Sequence, residues 1–254
     1  MRVRIIPCLD ILQNRVVKGR RFQNLIDLGN PIEMCRKYCD GGADELVILN
    51  IGATIGGSPE EFIRFCRLIN SMAQQIHVPL TVGGGINSVQ KARALLNAGA
   101  DKVSLNSSAL SNAPLIRNIA NCFGSQCIIA AADVTKNIIK NKWEVCSYSG
   151  SLQTGIDINK WASDISYCGA GEILLTSMDH DGTLGGFDLS LVSLVRKHST
   201  LPIIASGGGG CCFDCAEIMK LGEASAVLLA SILHSNQRDV TTIKSHSNIV
   251  WGSY

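Results

Sequence analysis

The chain has 254 residues, of which 46% are hydrophobic and 17% are charged, so it is long enough to bury one substantial core. Its 23 basic and 21 acidic residues give a formal net charge of only +2. This balance offers neither a basic face for nucleic acid nor an acidic solvating tail. An anionic ligand must therefore be held by local features of a site rather than by a global field.

The N-terminal apolar run is too short for a signal peptide, and no apolar stretch is long enough to span a membrane. The 11 cysteines are an odd number without framework spacing, which predicts reduced thiols and a cytoplasmic protein. Cys211, Cys212 and Cys215 lie close together, but neither a histidine nor a second cysteine pair completes a zinc site. We therefore expect no metal and no cofactor.

Runs rich in Val and Ile alternate with amphipathic stretches along the chain. In chain order, the runs predict strands at Arg4–Asp10, Glu45–Ile51, Leu80–Val82, Lys102–Leu105, Cys127–Asp133, Glu172–Ser177, Pro202–Ala205 and Ala226–Ala230. The stretches between them predict helices, among them Pro31–Cys39, Pro59–Gln74, Ser88–Ala98 and Asp214–Leu221. Alternating strands and helices favour parallel strands joined by right-handed crossovers. Eight such units fit a closed barrel, and an open doubly wound sheet is the alternative.

Two longer segments, Ile11–Asn24 and Val134–Thr154, are predicted to be loops that cover a substrate. Within the second loop, Lys142–Tyr148 alternates between polar and apolar residues, and Ser149-Gly-Ser can turn. This pattern predicts a small hairpin.

An internal repeat favours the barrel over the open sheet. Pro79-Leu-Thr-Val-Gly-Gly-Gly-Ile corresponds to Pro202-Ile-Ile-Ala-Ser-Gly-Gly-Gly-Gly, about half a chain later. Asp10, which ends the first strand, corresponds to Asp133, which ends the fifth. We therefore predict that residues 1–254 form a single (β/α)₈ TIM barrel domain built from two four-strand half-barrels.

The ends of the predicted strands carry the candidate chemistry, because the active site of this fold lies there. Asp10 and Asp133 end strands that face each other across the mouth, which suits general acid and general base catalysis. Aspartates that merely cap helices are the alternative. Glycine-rich turns end strands three and seven, so that backbone N–H groups can approach a phosphate closely. The residues of these two anion sites are Gly84, Gly85, Asn106 and Ser107 in the first half, and Gly208, Gly209, Ala230 and Ser231 in the second. The pairing predicts a substrate with a phosphate at each end.

Four charged residues lie at the opposite ends of strands. Arg4, Glu45, Lys102 and Glu172 open strands one, two, four and six, where two acids and two bases can pair as a ring. A purely structural plug of ion pairs is the alternative.

Several motifs resemble those of the cyclase subunits of imidazole glycerol phosphate synthases, and they run through nearly the whole chain. They include Arg4-Ile-Ile-Pro-Cys-Leu-Asp, Arg15-Val-Val-Lys-Gly, Gly99-Ala-Asp-Lys-Val-Ser, Phe123-Gly-Ser-Gln-Cys, Gly169-Ala-Gly-Glu-Ile-Leu-Leu-Thr-Ser-Met-Asp and Asp181-Gly-Thr. The resemblance implies a histidine-pathway reaction. Ammonia from a separate glutaminase subunit attacks phosphoribulosyl-formimino aminoimidazole carboxamide ribonucleotide, giving imidazole glycerol phosphate and aminoimidazole carboxamide ribotide.

The resemblance also implies roles for individual residues. Asp10 and Asp133 match the two catalytic aspartates, and Lys18 matches a loop lysine that closes over the substrate. Thr176, Ser177, Asp181 and Gly182 match substrate-lining positions. The four charged residues at the strand starts match a gate through which ammonia enters, with the glutaminase bound at the N-terminal face of the barrel.

Departures from the family pattern lie around the substrate mouth and keep two other interpretations open. Asn50 stands where the family generally has Asp, Val134-Thr135 replaces Ala-Lys, and His180 replaces Arg. One alternative is a paralogous barrel that passes ammonia to the amination of a surface-polysaccharide sugar. The other is a non-catalytic scaffold that activates a glutaminase. The intact pair of aspartates favours the cyclase.

Overall fold

A computed structural model of the chain describes residues 4–20, 23–55, 57–147, 150, 152–221, 223–235 and 238–251. Eight of its strands form a closed parallel barrel. These strands are β1 (Arg4–Leu12), β4 (Leu46–Asn50), β5 (Leu80–Gly83), β6 (Lys102–Leu105), β7 (Ile128–Asn137), β10 (Glu172–Ser177), β11 (Ile203–Ser206) and β12 (Ala226–Leu229). The barrel closes where β10 pairs with β7 and β12 pairs with β1, which confirms the predicted (β/α)₈ TIM barrel.

Helices surround the barrel and connect its strands. They are α1 (Pro31–Asp40), α2 (Pro59–Ala73), α3 (Val89–Asn97), α4 (Ser107–Ser111), α5 (Ala113–Phe123), α6 (Ile158–Cys168), α7 (Leu189–His198), α8 (Cys212–Lys220), α9 (Ser231–His234) and α10 (Val240–Trp251). Side chains such as Asn30, Ser58 and Ser88 accept hydrogen bonds from first-turn N–H groups, which sets where their helices begin. Among the helices of the described residues, none has both the length and the apolar character that crossing a membrane requires.

The two predicted loops are largely strands. After β1, residues Gln13 and Asn14 turn the chain with positive φ angles of 50° and 61°, and β2 (Arg15–Arg20) and β3 (Gln23–Gly29) follow. After the barrel segment of β7, the strand continues into a meander with β8 (Lys142–Ser147) and β9 (Leu152–Asp157). The predicted hairpin is thus present at Lys142–Ser147. Tyr148, Ser149 and Ser151 of that prediction lie outside the described residues.

Side chains inside the barrel follow the two-residue period of each strand. Arg4, Ile6, Cys8 and Asp10 lie on one side of β1, so the strand carries a base at its start and an acid near its end. An inner cluster of apolar residues separates these two levels; it contains Ile6, Cys8, Val47, Ile129, Ala131, Leu174, Ile204, Ala226 and Leu228. A larger apolar core packs between the strands and the surrounding helices.

Candidate active site

A cavity of about 700 Å³ lies at the carboxyl ends of the barrel strands. Both predicted catalytic aspartates and all but one of the predicted substrate-binding residues line it. They are Asp10, Lys18, Gly84, Gly85, Asn106, Ser107, Asp133, Thr176, Asp181, Gly182, Gly208, Gly209, Ala230 and Ser231. The structure therefore brings both half-barrels to one site.

Ser177 is the exception. It ends β10, but its side chain is 2% exposed and is absent from the cavity wall. Its hydroxyl donates a hydrogen bond of 3.3 Å to the carboxylate of Asp188, which caps α7. The neighbouring Thr176 lines the cavity, because successive side chains of a strand point to opposite faces. The prediction that the Ser177 side chain lines the substrate site disagrees with this placement.

Asp10 lies near the end of β1 and is 6% exposed. Burial raises its pKa to about 6, while the ammonium of Lys18 acts in the opposite direction and the carboxylate of Asp181 adds to the rise. Lys18 reaches Asp10 from β2, with 3.8 Å between Nζ and Oδ2. The β1–β2 hairpin thus holds the predicted lid lysine directly over the first aspartate.

Asp133 occupies the corresponding place on β7. Burial raises its pKa to about 6, a hydrogen bond from Asn106 lowers it, and the charges of Asp181 and Asp10 raise it further. The amide of Asn106 donates to Oδ2 of Asp133 over 3.0 Å. Two carboxyl groups with raised pKa values in one cavity are suited to donating and accepting protons for a substrate between them.

The two glycine-rich loops have matching backbone geometry. Gly84 and Gly208 each have a φ of 99°, a conformation that residues with a Cβ rarely adopt. A Cβ at Gly84 would lie 2.2 Å from the carbonyl oxygen of Asn50, and one at Gly208 would lie 2.0 Å from the carbonyl oxygen of Gly186. Glycine is therefore required in both loops by close packing of backbone on backbone.

The residues that precede the short helices α4 and α9 also match. Asn106 has φ and ψ of −116° and −97°, and Ala230 has −130° and −72°. Neither caps its helix with a side-chain hydrogen bond. Both half-barrels thus present a helix start and a glycine loop to the same cavity, and such groups are suited to binding anions.

At the other end of the barrel, the four predicted charged residues form one ring of ion pairs. Arg4 contacts Glu45 over 2.9 Å and also contacts Glu172. Lys102 contacts Glu45 over 3.0 Å and Glu172 over 3.2 Å. Thr81 donates its hydroxyl to Glu45 over 2.7 Å. Each acid therefore has both bases as partners.

Several polar or ionisable groups of the cavity wall were not singled out as ligands from the sequence, among them one lysine and two serines on barrel strands. Lys91 reaches the wall from the first turn of α3, and Ser104 and Ser206 reach it from β6 and β11. The two serines follow the two-residue period of inward-facing positions, so that period could have indicated them. For Lys91 the sequence carries no comparable signal. Cys8 also lines the wall, and burial raises the pKa of its thiol.

The structure shows where the residues that depart from the family pattern lie and which groups they contact. Asn50 lines the cavity and accepts a hydrogen bond of 3.2 Å from the backbone N–H of Ala53. Val134 is fully buried, and Thr135 donates to Asp179 over 2.9 Å. The ring of His180 bonds the carbonyl of Gly186 over 2.8 Å, beside the second glycine loop. None of them displaces Asp10 or Asp133.

Comparisons with known proteins identify the family of the chain. Residues 4–239 match the family described as histidine biosynthesis protein, and the chain belongs to this family.

Comparison with individual relatives identifies the type of protein more narrowly than the family does. The chain is 46% identical over 243 residues to the imidazole glycerol phosphate synthase subunit HisF of Clostridium botulinum (strain Alaska E43 / Type E3), covering 96% of this chain and 94% of the relative. It is 48% identical over 244 residues to the subunit of the same name from Prochlorococcus marinus subsp. pastoris, with the same coverage. A relative from Prochlorococcus marinus strain MIT 9515 is also 48% identical, with 96% and 93% coverage. The resemblance inferred from the motifs is thus confirmed.

Proposed function

We propose that this chain is the cyclase subunit of an imidazole glycerol phosphate synthase. In this reaction ammonia and phosphoribulosyl-formimino aminoimidazole carboxamide ribonucleotide give imidazole glycerol phosphate and aminoimidazole carboxamide ribotide. Relatives that match almost the whole chain bear the synthase name. The observation that carries the proposal is the pair of carboxyl groups with raised pKa values, Asp10 and Asp133, in one cavity between two matching glycine loops.

The two aspartates are the proposed acid and base. Burial raises the pKa of each to about 6, which brings both groups within about one pH unit of neutrality. A group with such a pKa both accepts and returns a proton readily, which is what addition of ammonia and ring closure require.

The two glycine loops are the proposed phosphate sites. Gly84 and Gly85 with the start of α4 would bind one phosphate, and Gly208 and Gly209 with the start of α9 the other. Their matching backbone angles support a substrate with similar anionic groups at both ends. Lys18, which lies beside Asp10, would close over the middle of the bound substrate.

The ion-pair ring is the proposed ammonia gate, and a glutaminase bound at the N-terminal face is the proposed partner. The ring joins β1, β6 and β10 with Glu45, next to β4, at the barrel end opposite the cavity. Inward-facing residues between the ring and the cavity are apolar, which suits the passage of neutral ammonia rather than of an ion. A cytoplasmic location is part of the proposal, and the 11 unpaired cysteines support it.

Turnover without the partner tests the proposal. The purified chain is mixed with the ribonucleotide substrate and an ammonium salt at alkaline pH, and loss of substrate absorbance is followed. We expect turnover by the wild-type chain and loss of about 100-fold or more in Asp10→Asn and in Asp133→Asn. A folded wild-type chain without turnover would contradict the proposal. Unchanged rates in both variants would also contradict it, because the aspartates would then play no part.

A further inference from the structure

The charge on the cavity wall is unevenly distributed. Among the described residues of the wall, the cationic side chains are Lys18 and Lys91, and three aspartates, Asp10, Asp133 and Asp181, oppose them. Lys18 lies 3.8 Å from the carboxylate of Asp10, in the middle of the mouth. Lys91 lies at one end, beside the first glycine loop. A substrate with two phosphates therefore meets a cation at only one of its ends.

Lys91 is held against the glycine loop rather than directed away from it. Its ammonium donates a hydrogen bond of 3.1 Å to the carbonyl oxygen of Gly85 and lies 5.4 Å from the centre of the Phe62 ring. An ammonium has three donors, so one contact to Gly85 leaves capacity for an anion in the same loop. The ring of Phe62 fixes the side chain without neutralising its charge.

The position of Lys91 on its helix also needs an explanation. Its backbone N–H donates to Ser88, the residue that caps α3, so it lies in the first turn of that helix. A positive charge is unfavourable there because helix N-termini are themselves electropositive, and α3 has no acidic residue in this turn to offset it. An anion bound in the adjacent loop would attract both the ammonium and the helix N-terminus and so offset this repulsion.

The second half-barrel has no counterpart to Lys91. When Gly84 is matched to Gly208, Lys91 falls on Cys215, which is fully buried in α8. In that half, the carboxylate of Asp214 accepts from the N–H groups of Gly210 and Cys211 over 2.7 and 2.8 Å. The two ends of the cavity therefore differ in charge, although their glycine loops match.

We infer that Lys91 is a substrate-binding residue that holds the phosphate lying in the Gly84–Gly85 loop, so that this end binds its phosphate more tightly than the other end does. The inference rests on the proposed function. It adds to the proposed substrate-binding residues one that neither the internal repeat nor the matching loops indicate. It also predicts different phosphate affinities for the two sites.

Kinetics of three variants test the inference. Lys91→Met removes the charge and keeps most of the length, Lys91→Arg keeps the charge, and Lys160→Met removes an exposed charge from α6 as the matched control. With saturating ammonium, we expect Lys91→Met to raise KM for the ribonucleotide by about tenfold or more, as for a lost hydrogen bond to a charged group. Its kcat should change by less than about twofold, because the contact is made before and during the reaction alike. Lys91→Arg should fall between Lys91→Met and the wild type, and Lys160→Met should match the wild type.

A different pattern would overturn the inference. An unchanged KM in Lys91→Met, whether or not kcat and thermal stability fall, would mean that Lys91 only stabilises the conformation of the loop that contains Gly85. The same would follow if Lys160→Met raised KM as much as Lys91→Met.

Titration with inorganic phosphate separates this inference from the proposed function. By calorimetry, we expect the wild-type chain to bind phosphate more tightly than Lys91→Met does, whether or not it turns over the ribonucleotide. If the wild-type chain does not turn over the ribonucleotide, but Lys91→Met binds phosphate more weakly than the wild type does, the proposed function is overturned and Lys91 is supported as an anion ligand. Normal turnover with equal KM and equal phosphate affinity would overturn the inference and leave the proposed function standing. Phosphate binding by neither protein would also count against the inference.

Discussion

At the scale of single residues, the carboxyl groups of the active site lower the stability of the folded protein when they are ionised. Burial raises the pKa of Asp133 from 3.8 to about 6, so the folded protein binds this proton more tightly than the unfolded chain does. The stabilising effect of the bound proton is complete below about pH 4. It is lost as the pH rises through about 6, where the folded protein must hold an ionised group away from water.

Replacement of Asp133 by Asn should therefore stabilise the protein at alkaline pH. At pH 8, we expect the free energy of unfolding of Asp133→Asn to exceed that of the wild type by about 1–3 kcal/mol, because Asn carries no charge. At about pH 3 the two proteins should be nearly equal, since Asp133 is then protonated in both the folded and the unfolded states. Urea denaturation at both pH values measures the difference. Asp164→Asn, at an exposed position of α6, serves as the control. Equal stability of Asp133→Asn and wild type at pH 8 would argue against a costly ionised Asp133.

A site residue can be predicted from the sequence when it lies on a barrel strand, because side chains alternate between the two faces of a strand. Asp10 and Asp133 can be found from the sequence because each is the last residue of a strand predicted from an apolar run, although both strands continue past them in the structure. The same alternation places the Ser177 side chain on the outer face of β10, since Glu172 and Thr176 face inward and Ser177 is the next residue. Lys91 cannot be found in this way, because it reaches the cavity from a helix and its direction depends on Phe62 and Gly85.

At the scale of elements, the loops and hairpins at the carboxyl ends of the strands shape the site. The segment after Asp10 has the local pattern of a loop, because its turn, Gln13-Asn14, has no glycine although both residues have positive φ. The barrel strands are predictable, because their apolar runs are bounded by turns and helices. The hairpin that carries Lys18 depends on pairing between β1, β2 and β3, which a local pattern does not reveal.

The glycine loop after β5 gives a direct test of backbone packing. Gly84→Ala should lower the free energy of unfolding by about 3–5 kcal/mol, because it combines an unfavourable φ with a Cβ 2.2 Å from the Asn50 carbonyl oxygen. Gly42→Ala is the matched control, since Gly42 has a φ of 83° but a Cβ there would meet no atom within 4 Å. It should lose only about 1–2 kcal/mol from the backbone conformation. Equal losses in the two variants, measured by urea denaturation, would contradict the close approach at Gly84.

At the scale of the whole molecule, one barrel connects two chemically different ends. The carboxylates of Glu45 and Glu172 at the amino end are paired with Arg4 and Lys102, and burial raises the pKa of Asp10 and Asp133 in the cavity at the other end. An apolar layer lies between them. Under the proposed function, neutral ammonia would cross this layer while both sets of charged groups stay in place.

Lys102→Met tests whether the ring acts in ammonia transfer as well as in stability. Because it leaves two buried carboxylates with Arg4 as the remaining base of the ring, we expect a loss of about 2–4 kcal/mol in the free energy of unfolding. We also expect glutamine-driven turnover with the glutaminase partner to change by a larger factor than turnover driven by external ammonium. The ratio of the two rates is the measurement. An unchanged ratio would mean that the ring is a structural plug.

Above all, this barrel should incorporate ammonia into a ribonucleotide that carries a phosphate at each end. Isotope labelling measures this step itself: a ¹⁵N-ammonium salt is followed into the products formed by the purified chain, and the two phosphorylated products are separated and analysed by mass spectrometry. We expect one ¹⁵N atom in imidazole glycerol phosphate, none in the ribotide, and no labelled product from Asp10→Asn. Unlabelled products, or no product at all although the chain binds the ribonucleotide, would contradict the proposed reaction.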